Sequence, residues 1–212
     1  MTSRFAPLVE RALDGLGELA GPARATGVAD ALARLLELVL AWNARTDLTA
    51  ARSDAELIDL YLADALVLAS GRELSSGRRW VDVGSGAGAP GLVLALFAPE
   101  LELTLVEPKT RRVAFLRTAA GALGLGNVRV ERARSDVLAS GGWDVACSRA
   151  TLPPPEWLRE GARLAREAVW VLLARGEAPS LAGWRLARDL DYRWPLGGAP
   201  RRAVGFLREL AR

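Results

Sequence analysis

Leu32, Leu35, Leu36, Val39 and Leu40 recur at three- and four-residue spacing, which predicts a helix with one apolar face. Trp42 closes that stretch, and Asn43 to Ala50 reads as a turn. Ser53 and Glu56 form a capping box in which each side chain can satisfy an amide at a helix start. Leu57, Leu60, Tyr61 and Leu68 continue that second helix until Gly71 and the Ser75-Ser76-Gly77 stretch. Upstream, the first sixteen residues are amphipathic. From Arg79 the rhythm changes: Trp80 to Val83 predicts a buried strand, and Gly91 to Phe97 a short helix with Pro90 near its first turn and Pro99 beyond its end. Leu101 to Val106 alternates as a second strand. Val113, Leu116, Ala120 and Leu123 mark a helix that stops at Gly124. Strands follow over Val128 to Val130 and Trp143 to Cys147. A helix spans Pro155 to Arg166, a fifth strand Ala168 to Leu173, and two weaker strands lie near 184–190 and 202–208. Strands alternating with helices imply crossover connections and a mostly parallel α/β sheet, with ligands bound beyond the carboxyl ends of the strands.

Composition narrows the chemistry. The chain has 212 residues, half of them hydrophobic and 25% charged, as expected of one globular domain, alone or with an extension. No run of about 20 apolar residues appears and the N-terminus lacks an apolar signal core, so a cytoplasmic location with no membrane partner is expected. With no histidine and one cysteine, Cys147, the chain builds no Ser-His-Asp triad, Cys-His pair, His-ligated metal site or thiolate cage. No metal is expected. The formal net charge is +3, and Lys109 is the one lysine among 28 basic residues. Arginine suits bidentate contact with phosphate and stacking on bases, so an RNA partner is permitted. A G+C-rich genome explains the same bias.

Candidate chemistry gathers in Asp82-Val-Gly84-Ser-Gly86-Ala-Gly88-Ala-Pro-Gly91. Glycines let the main chain turn sharply and approach a ligand, and the helix that follows directs free amides at the same space. Gly86-x-Gly88-x-x-Gly91 also matches the dinucleotide fingerprint. Asp82 discriminates: a carboxylate beside the loop repels a pyrophosphate but favours the sulfonium of S-adenosylmethionine. This argues against an NAD-dependent oxidoreductase. Glu107, ending the second strand, stands where an acidic residue grips two ribose hydroxyls, although a surface ion pair with Lys109 or Arg111 is the plainer alternative. Ser135 and Asp136, past the third strand, are candidates for the adenine side, with a helix N-terminal carboxylate as the alternative for Asp136.

These residues carry a resemblance. Trp42-Asn43 with Leu48-Thr49-Ala50, Val81 to Gly91, Lys109-x-x-Arg112-Val-Ala-Phe115-Leu-Arg117, and Ser148-Arg149-Ala150 are similar to the RsmG (GidB) family, bacterial methyltransferases acting on a guanine N7 of small-subunit (16S) ribosomal RNA. The resemblance runs from about Leu32 to about Leu207. It implies a Rossmann-like class I S-adenosylmethionine-dependent methyltransferase sheet with a helical N-terminal extension: a cap over 1–77 and the sheet over 78–212, in one compact unit. It implies cofactor contacts at Gly84, Ala89, Ser135, Asp136 and Arg149, with Glu107 in the acidic ribose position and Asp82 and Gly86 completing the loop. The implied partner is 16S ribosomal RNA or a small-subunit precursor, met by a monomer. Three departures stand out. Tyr61-Leu-Ala-Asp64-Ala-Leu66 replaces a family His-x-x-Asp-Ser-Leu, Arg175-Gly176 replaces Lys-Gly, and Arg201-Arg202 replaces Arg-His.

Methyl transfer to a nitrogen lone pair needs positioning rather than a strong base, and positioning can contribute on the order of 7–11 kcal/mol. Arg149 and Arg175 are therefore expected to orient guanine or nearby phosphates, and Arg201 and Arg202 to attract phosphate at the rim, with a solvated or ion-paired surface group as the alternative, stronger for these two than for Arg149; Tyr61 can offer a base-stacking face, although a tyrosine on an apolar helix face is more often core. The alternatives are a divergent member that methylates another substrate, or a non-catalytic S-adenosylmethionine- or RNA-binding protein.

Overall fold

The computed structural model describes residues 3–26, 29–71 and 77–209. The expected helix end at Ser75-Ser76 lies outside the described residues. Helices α1 (Ala6–Leu16), α2 (Gly21–Thr26), α3 (Ala29–Asn43) and α4 (Asp54–Ser70) come first. Then follow β1 (Arg79–Val83), α5 (Gly91–Phe97), β2 (Glu102–Val106), α6 (Thr110–Ala122), β3 (Val128–Glu131), β4 (Trp143–Arg149), α7 (Pro154–Leu164), β5 (Ala165–Leu173), β6 (Trp184–Arg193) and β7 (Pro200–Arg208).

Both turns at the start of α4 have a local cause. Asn43 Oδ1 accepts from the amides of Leu48 and Thr49 at 2.8 and 3.0 Å, which closes the turn after α3. Ser53 accepts from the Glu56 amide, while Glu56 reaches back to the amide of Arg52, one residue earlier than the simplest capping box. Helix α4 is buried almost all round, from Leu57 to Ala69 with Leu60 the exception, so it runs through the molecule rather than over it.

The seven strands form one mixed sheet, ordered β3-β2-β1-β4-β5-β7-β6. β1 to β5 are parallel, β7 runs antiparallel to β5, and β6 antiparallel to β7. The order reverses between β1 and β4, and ligands of open α/β sheets lodge at such a switch point. Successive strand residues face opposite sides, so Trp80, Leu103, Leu105, Cys147 and Trp170 pack under α1 to α6, while Val81, Val83, Val106, Ala146 and Val169 face α7. The coverage is unequal. The β3–β4 connection holds only a 3-10 turn, Ser135–Val137, and the β5–β6 connection holds no helix. No helix among the described residues is long and apolar enough to cross a membrane.

Candidate functional site

The glycine loop leaves β1 and hangs from β2, since the amides of Gly84 and Ser85 both donate to the Val106 carbonyl. Gly84 needs its missing Cβ twice over. Its φ is +73°, and a Cβ would stand 2.2 Å from Thr151 Oγ1. Gly86, at φ +56°, has room for a side chain, since a Cβ there would meet nothing closer than the Gly84 carbonyl at 3.7 Å. Glu107 braces the loop: Oε2 accepts from the Gly86 amide at 3.0 Å and Oε1 from the Lys109 amide at 2.9 Å. It is nearly buried, so the expected ribose carboxylate also sets the shape of the loop.

Asp82 lies beneath this loop, 1% exposed and directed at the start of α5, where a Cβ on Gly91 would stand 2.5 Å from its Oδ2. Neither oxygen has a hydrogen-bond partner among the described residues. The Ser85 hydroxyl donates instead to the Asp82 carbonyl. Burial pushes the carboxyl up to about 6, against the pull of Ser85, Arg149 and the Gly91 amide and with a push from Glu107. Cys147, its neighbour on β4, is pushed well above the usual thiol range by burial and by Asp82.

Two hollows flank the loop. The larger, about 680 Å³, lies beyond the ends of β1 and β2 and is walled by Gly84, Pro108, Ser135, Asp136, Thr151 and Arg163, among others. Arg163 fixes its outer wall, donating to the carbonyls of Ser135 and Leu138 while pairing with Glu160. That bond holds the Glu160 carboxyl below the usual range. Asp136 is exposed and pairs loosely with Arg134 at 3.5 Å. The smaller hollow, about 160 Å³, lies between the loop and the turn before α4, and Thr49, Tyr61, Gly86, Ala89, Arg112 and Arg149 border it. Gly84 borders both.

Arg149 crosses from β4 to α4. Its Nη1 donates to the Leu60 carbonyl at 2.6 Å and to Asp64 Oδ2 at 3.2 Å. Asp64 Oδ1 in turn accepts from the Tyr192 hydroxyl at 2.6 Å. Asp59, one turn earlier on α4, accepts from the amides of Leu196 and Gly197 in the β6–β7 turn. Burial raises the pKa of the Asp59 carboxyl. Burial does the same to the Tyr192 hydroxyl, reinforced by Asp64.

The structure brings Gly84, Ser135 and Asp136 to the large cleft and Gly84, Gly86, Ala89 and Arg149 to the small pocket, with Asp82 and Glu107 as supports beneath and beside them. Tyr61 takes the core place and not the stacking one. Its ring is 1% exposed and its hydroxyl donates to the Ala87 carbonyl, so it holds the loop and offers no face to a base. Arg202 is bound through both fork nitrogens to Asp189 at 2.7 Å, and Arg201 lies 3.7 Å over the Trp194 ring. Arg175 is exposed beyond β5, away from both hollows. Sequence reasoning assigned no role to Arg112, Asp64, Asp59, Thr151, Arg163 or Tyr192. A carboxylate at position 64, amid an apolar helix, was a readable signal; the partners of Tyr192 and Asp59 lie more than a hundred residues away.

A model of the family described as rRNA small subunit methyltransferase G (GidB) matches residues 29–182. The ribosomal RNA small subunit methyltransferase G of Myxococcus xanthus is 32% identical over 211 residues, covering 91% of this chain and 96% of that protein. Its counterpart in Neisseria gonorrhoeae is 32% identical over 181 residues, 85% of this chain and 86% of that one. In Halorhodospira halophila the identity is 45% over 128 residues, 59% of this chain and 60% of that protein. Among solved structures, a mutant of MtNAS in complex with S-adenosylmethionine superposes with TM-score 0.56 at 18% identity, over 82% of this chain and 73% of that one. A SAM dependent methyltransferase from Aquifex aeolicus gives 0.51 at 18%, over 71% and 91%. These two likenesses show the fold.

Proposed function

The chain belongs to the rRNA small subunit methyltransferase G (GidB) family, and from that membership we propose that it transfers a methyl group from S-adenosylmethionine to a guanine N7 of 16S ribosomal RNA. The observation that carries the reading is the glycine loop at the sheet's switch point, opening onto a cleft of about 680 Å³. That volume lies within the roughly 300–1,000 Å³ of small-molecule sites. The residues present fit the cofactor. Bare main chain at Gly84 and Gly86 permits close approach, and the Asp82 carboxylate, without a donor, gains from a nearby cation.

In this reading Pro108, Ser135 and Asp136 enclose the adenine, Glu107 meets the ribose, and Gly84, Ala89 and Arg149 border the amino-acid end. When bound, the cofactor supplies a methyl group already activated on sulfur. Guanine N7 offers an in-plane lone pair and no proton, so the chain is asked for orientation and not for a base. That suits a site without histidine. Arg149, held from behind by Asp64 and Leu60, is fixed enough to orient a guanine edge or phosphate. The enzyme acts in the cytoplasm, on the small subunit or its precursor. Val137, Leu152 and Leu186 are the exposed large apolar side chains among the described residues, which supports a monomer.

The test is methyl transfer from labelled S-adenosylmethionine to 16S RNA or small subunits from cells lacking the enzyme, followed by mapping of N7-methylguanine by chain cleavage. One new guanine-specific stop is expected. Tight cofactor binding with label in no guanine of the small subunit overturns the substrate.

A further inference from the structure

We infer that the enzyme holds its RNA at a second place: a hollow at the far end of the sheet from the glycine loop seats one unpaired nucleotide of the 16S strand. This rests on the RNA methyltransferase reading above.

The hollow exists because no helix covers it. The β3–β4 connection supplies only a 3-10 turn, so the face of β1 to β3 that α7 does not reach stays open. Across that face one row runs Val81, Thr104, Arg129, and the next runs Arg79, Glu102. Exposure climbs along the first row, from a buried Val81 through a nearly buried Thr104 to an exposed Arg129. Both members of the second row, at the amino ends of their strands, are exposed. Trp143 walls the side towards β4. Its Nε1 donates to Thr104 Oγ1 at 3.0 Å, which stretches the indole from β4 across β1 to β2 and pins it there. These residues border a space of about 440 Å³.

The polar groups around that space are unspent. Among the described residues the guanidinium groups of Arg79 and Arg129 close no hydrogen bond and no ion pair. Arg79 and Glu102 are register partners on adjacent strands, yet no ion pair joins them. Thr104 accepts from the indole, and its own hydroxyl proton goes to no acceptor among the described residues. Asp144, on β4, is already held by the Arg79 amide.

This set matches a nucleotide better than a bare anion. Two forked cations suit phosphate oxygens. Glu102, on the strand between them, repels a lone phosphate but accepts from a ribose 2′-hydroxyl, the group that separates RNA from DNA. The pinned indole offers a surface to a base. The volume lies within the roughly 300–1,000 Å³ of small-molecule sites. Arg79 and Gly84 stand at opposite ends of β1, roughly 16 Å apart along an extended chain, so the nucleotide held here is not the one that receives the methyl group. It is a neighbour, and a grip on it raises affinity for the strand without touching the transfer step.

Filter binding of the full-length protein to 16S RNA from cells lacking the enzyme tests this over a salt series. A variant carrying Arg79→Gln and Arg129→Gln, checked for folding by circular dichroism, is expected to bind about 10-fold more weakly. Its salt slope should fall by roughly 1.4, about 0.7 for each single-strand phosphate. Its KM for RNA should rise by the same factor as its Kd, with kcat and S-adenosylmethionine affinity kept. Unchanged affinity and slope overturn the proposal. Glu102→Ala should narrow the preference for RNA over DNA of the same sequence, and an unchanged preference overturns the ribose contact. Calorimetry with guanosine and uridine monophosphates separates the sources. If the wild type binds these tightly while RNA affinity ignores the double substitution, the hollow serves a soluble nucleotide and the RNA assignment falls. Ultraviolet cross-linking of the wild type to 16S RNA needs no variant: an adduct on the peptide carrying Trp143 is expected, and adducts confined to the glycine-loop end refute the seat. A wild type that neither binds nor methylates 16S RNA sinks the proposed function, and this inference with it. One that methylates normally beside an unaffected double variant sinks this inference alone.

Discussion

Asp82 is buried with no hydrogen bond closed on either oxygen, and burial outweighs the pull of Ser85, Arg149 and the Gly91 amide, so that its proton is held until about pH 6. An ordinary aspartate releases it near 3.8. The folded state therefore binds this proton more tightly than the unfolded chain does. The resulting stability is present below about pH 4 and is lost as pH rises towards 6, a change on the order of 3 kcal/mol. Asp82→Asn removes that dependence. Denaturant unfolding from about pH 3.5 to 7.5 should move the difference between variant and wild type towards the variant by that amount, and a flat difference refutes it. A bound cation reverses the penalty, so wild-type affinity for S-adenosylmethionine should rise as pH passes through 6 and stay level in the variant. The glycines separate in the same way. Gly84→Ala meets Thr151 at 2.2 Å in a strained φ and should cost several kcal/mol, whereas Gly86→Ala meets nothing closer than 3.7 Å and should cost about 1 kcal/mol. Thermal melts of the pair decide this, and equal losses would count against the loop geometry.

Among the elements, the β6–β7 hairpin depends on α4. Asp59 caps the amides of Leu196 and Gly197, so Asp59→Ala should cost about 1–3 kcal/mol and speed hydrogen exchange at those two amides, with β1 to β3 unaffected. Unchanged protection there would show that the turn holds itself. Every strand and helix placed by apolar rhythm recurs in the structure within a few residues, because periodicity is a local property that burial enforces. The glycine loop was legible for the same reason, since its backbone demands are met by adjacent residues. The clasp from α4 to the last hairpin was not: Asp59 and Leu196 carry no mutual pattern, and only the sheet order brings them together. Of the two readings of Tyr61 the core one holds and the stacking one does not, because helix α4 is buried on nearly all sides rather than on one.

For the molecule as a whole, a net charge of +3 makes RNA attraction a matter of which arginines are unpaired. Arg202→Ala removes a charge already matched by Asp189, and should leave the slope of log affinity against log salt nearly unchanged. Arg175→Ala removes an exposed charge and should lower it by roughly 0.9 if that arginine meets a phosphate. Filter binding over a salt series checks both. We propose that the cap over 1–77 and the sheet over 78–212 form one folding unit, a reading supported by the apolar core they share. Arg149 is anchored by a carbonyl and a carboxylate of α4, and that carboxylate is completed by Tyr192 on the next-to-last strand. A chain still emerging during synthesis thus holds its glycine loop long before it can hold Arg149 in place. On the role proposed for Arg149, a product truncated before β6 is expected to transfer no methyl group, a bystander to ribosome assembly and not a weak version of the enzyme.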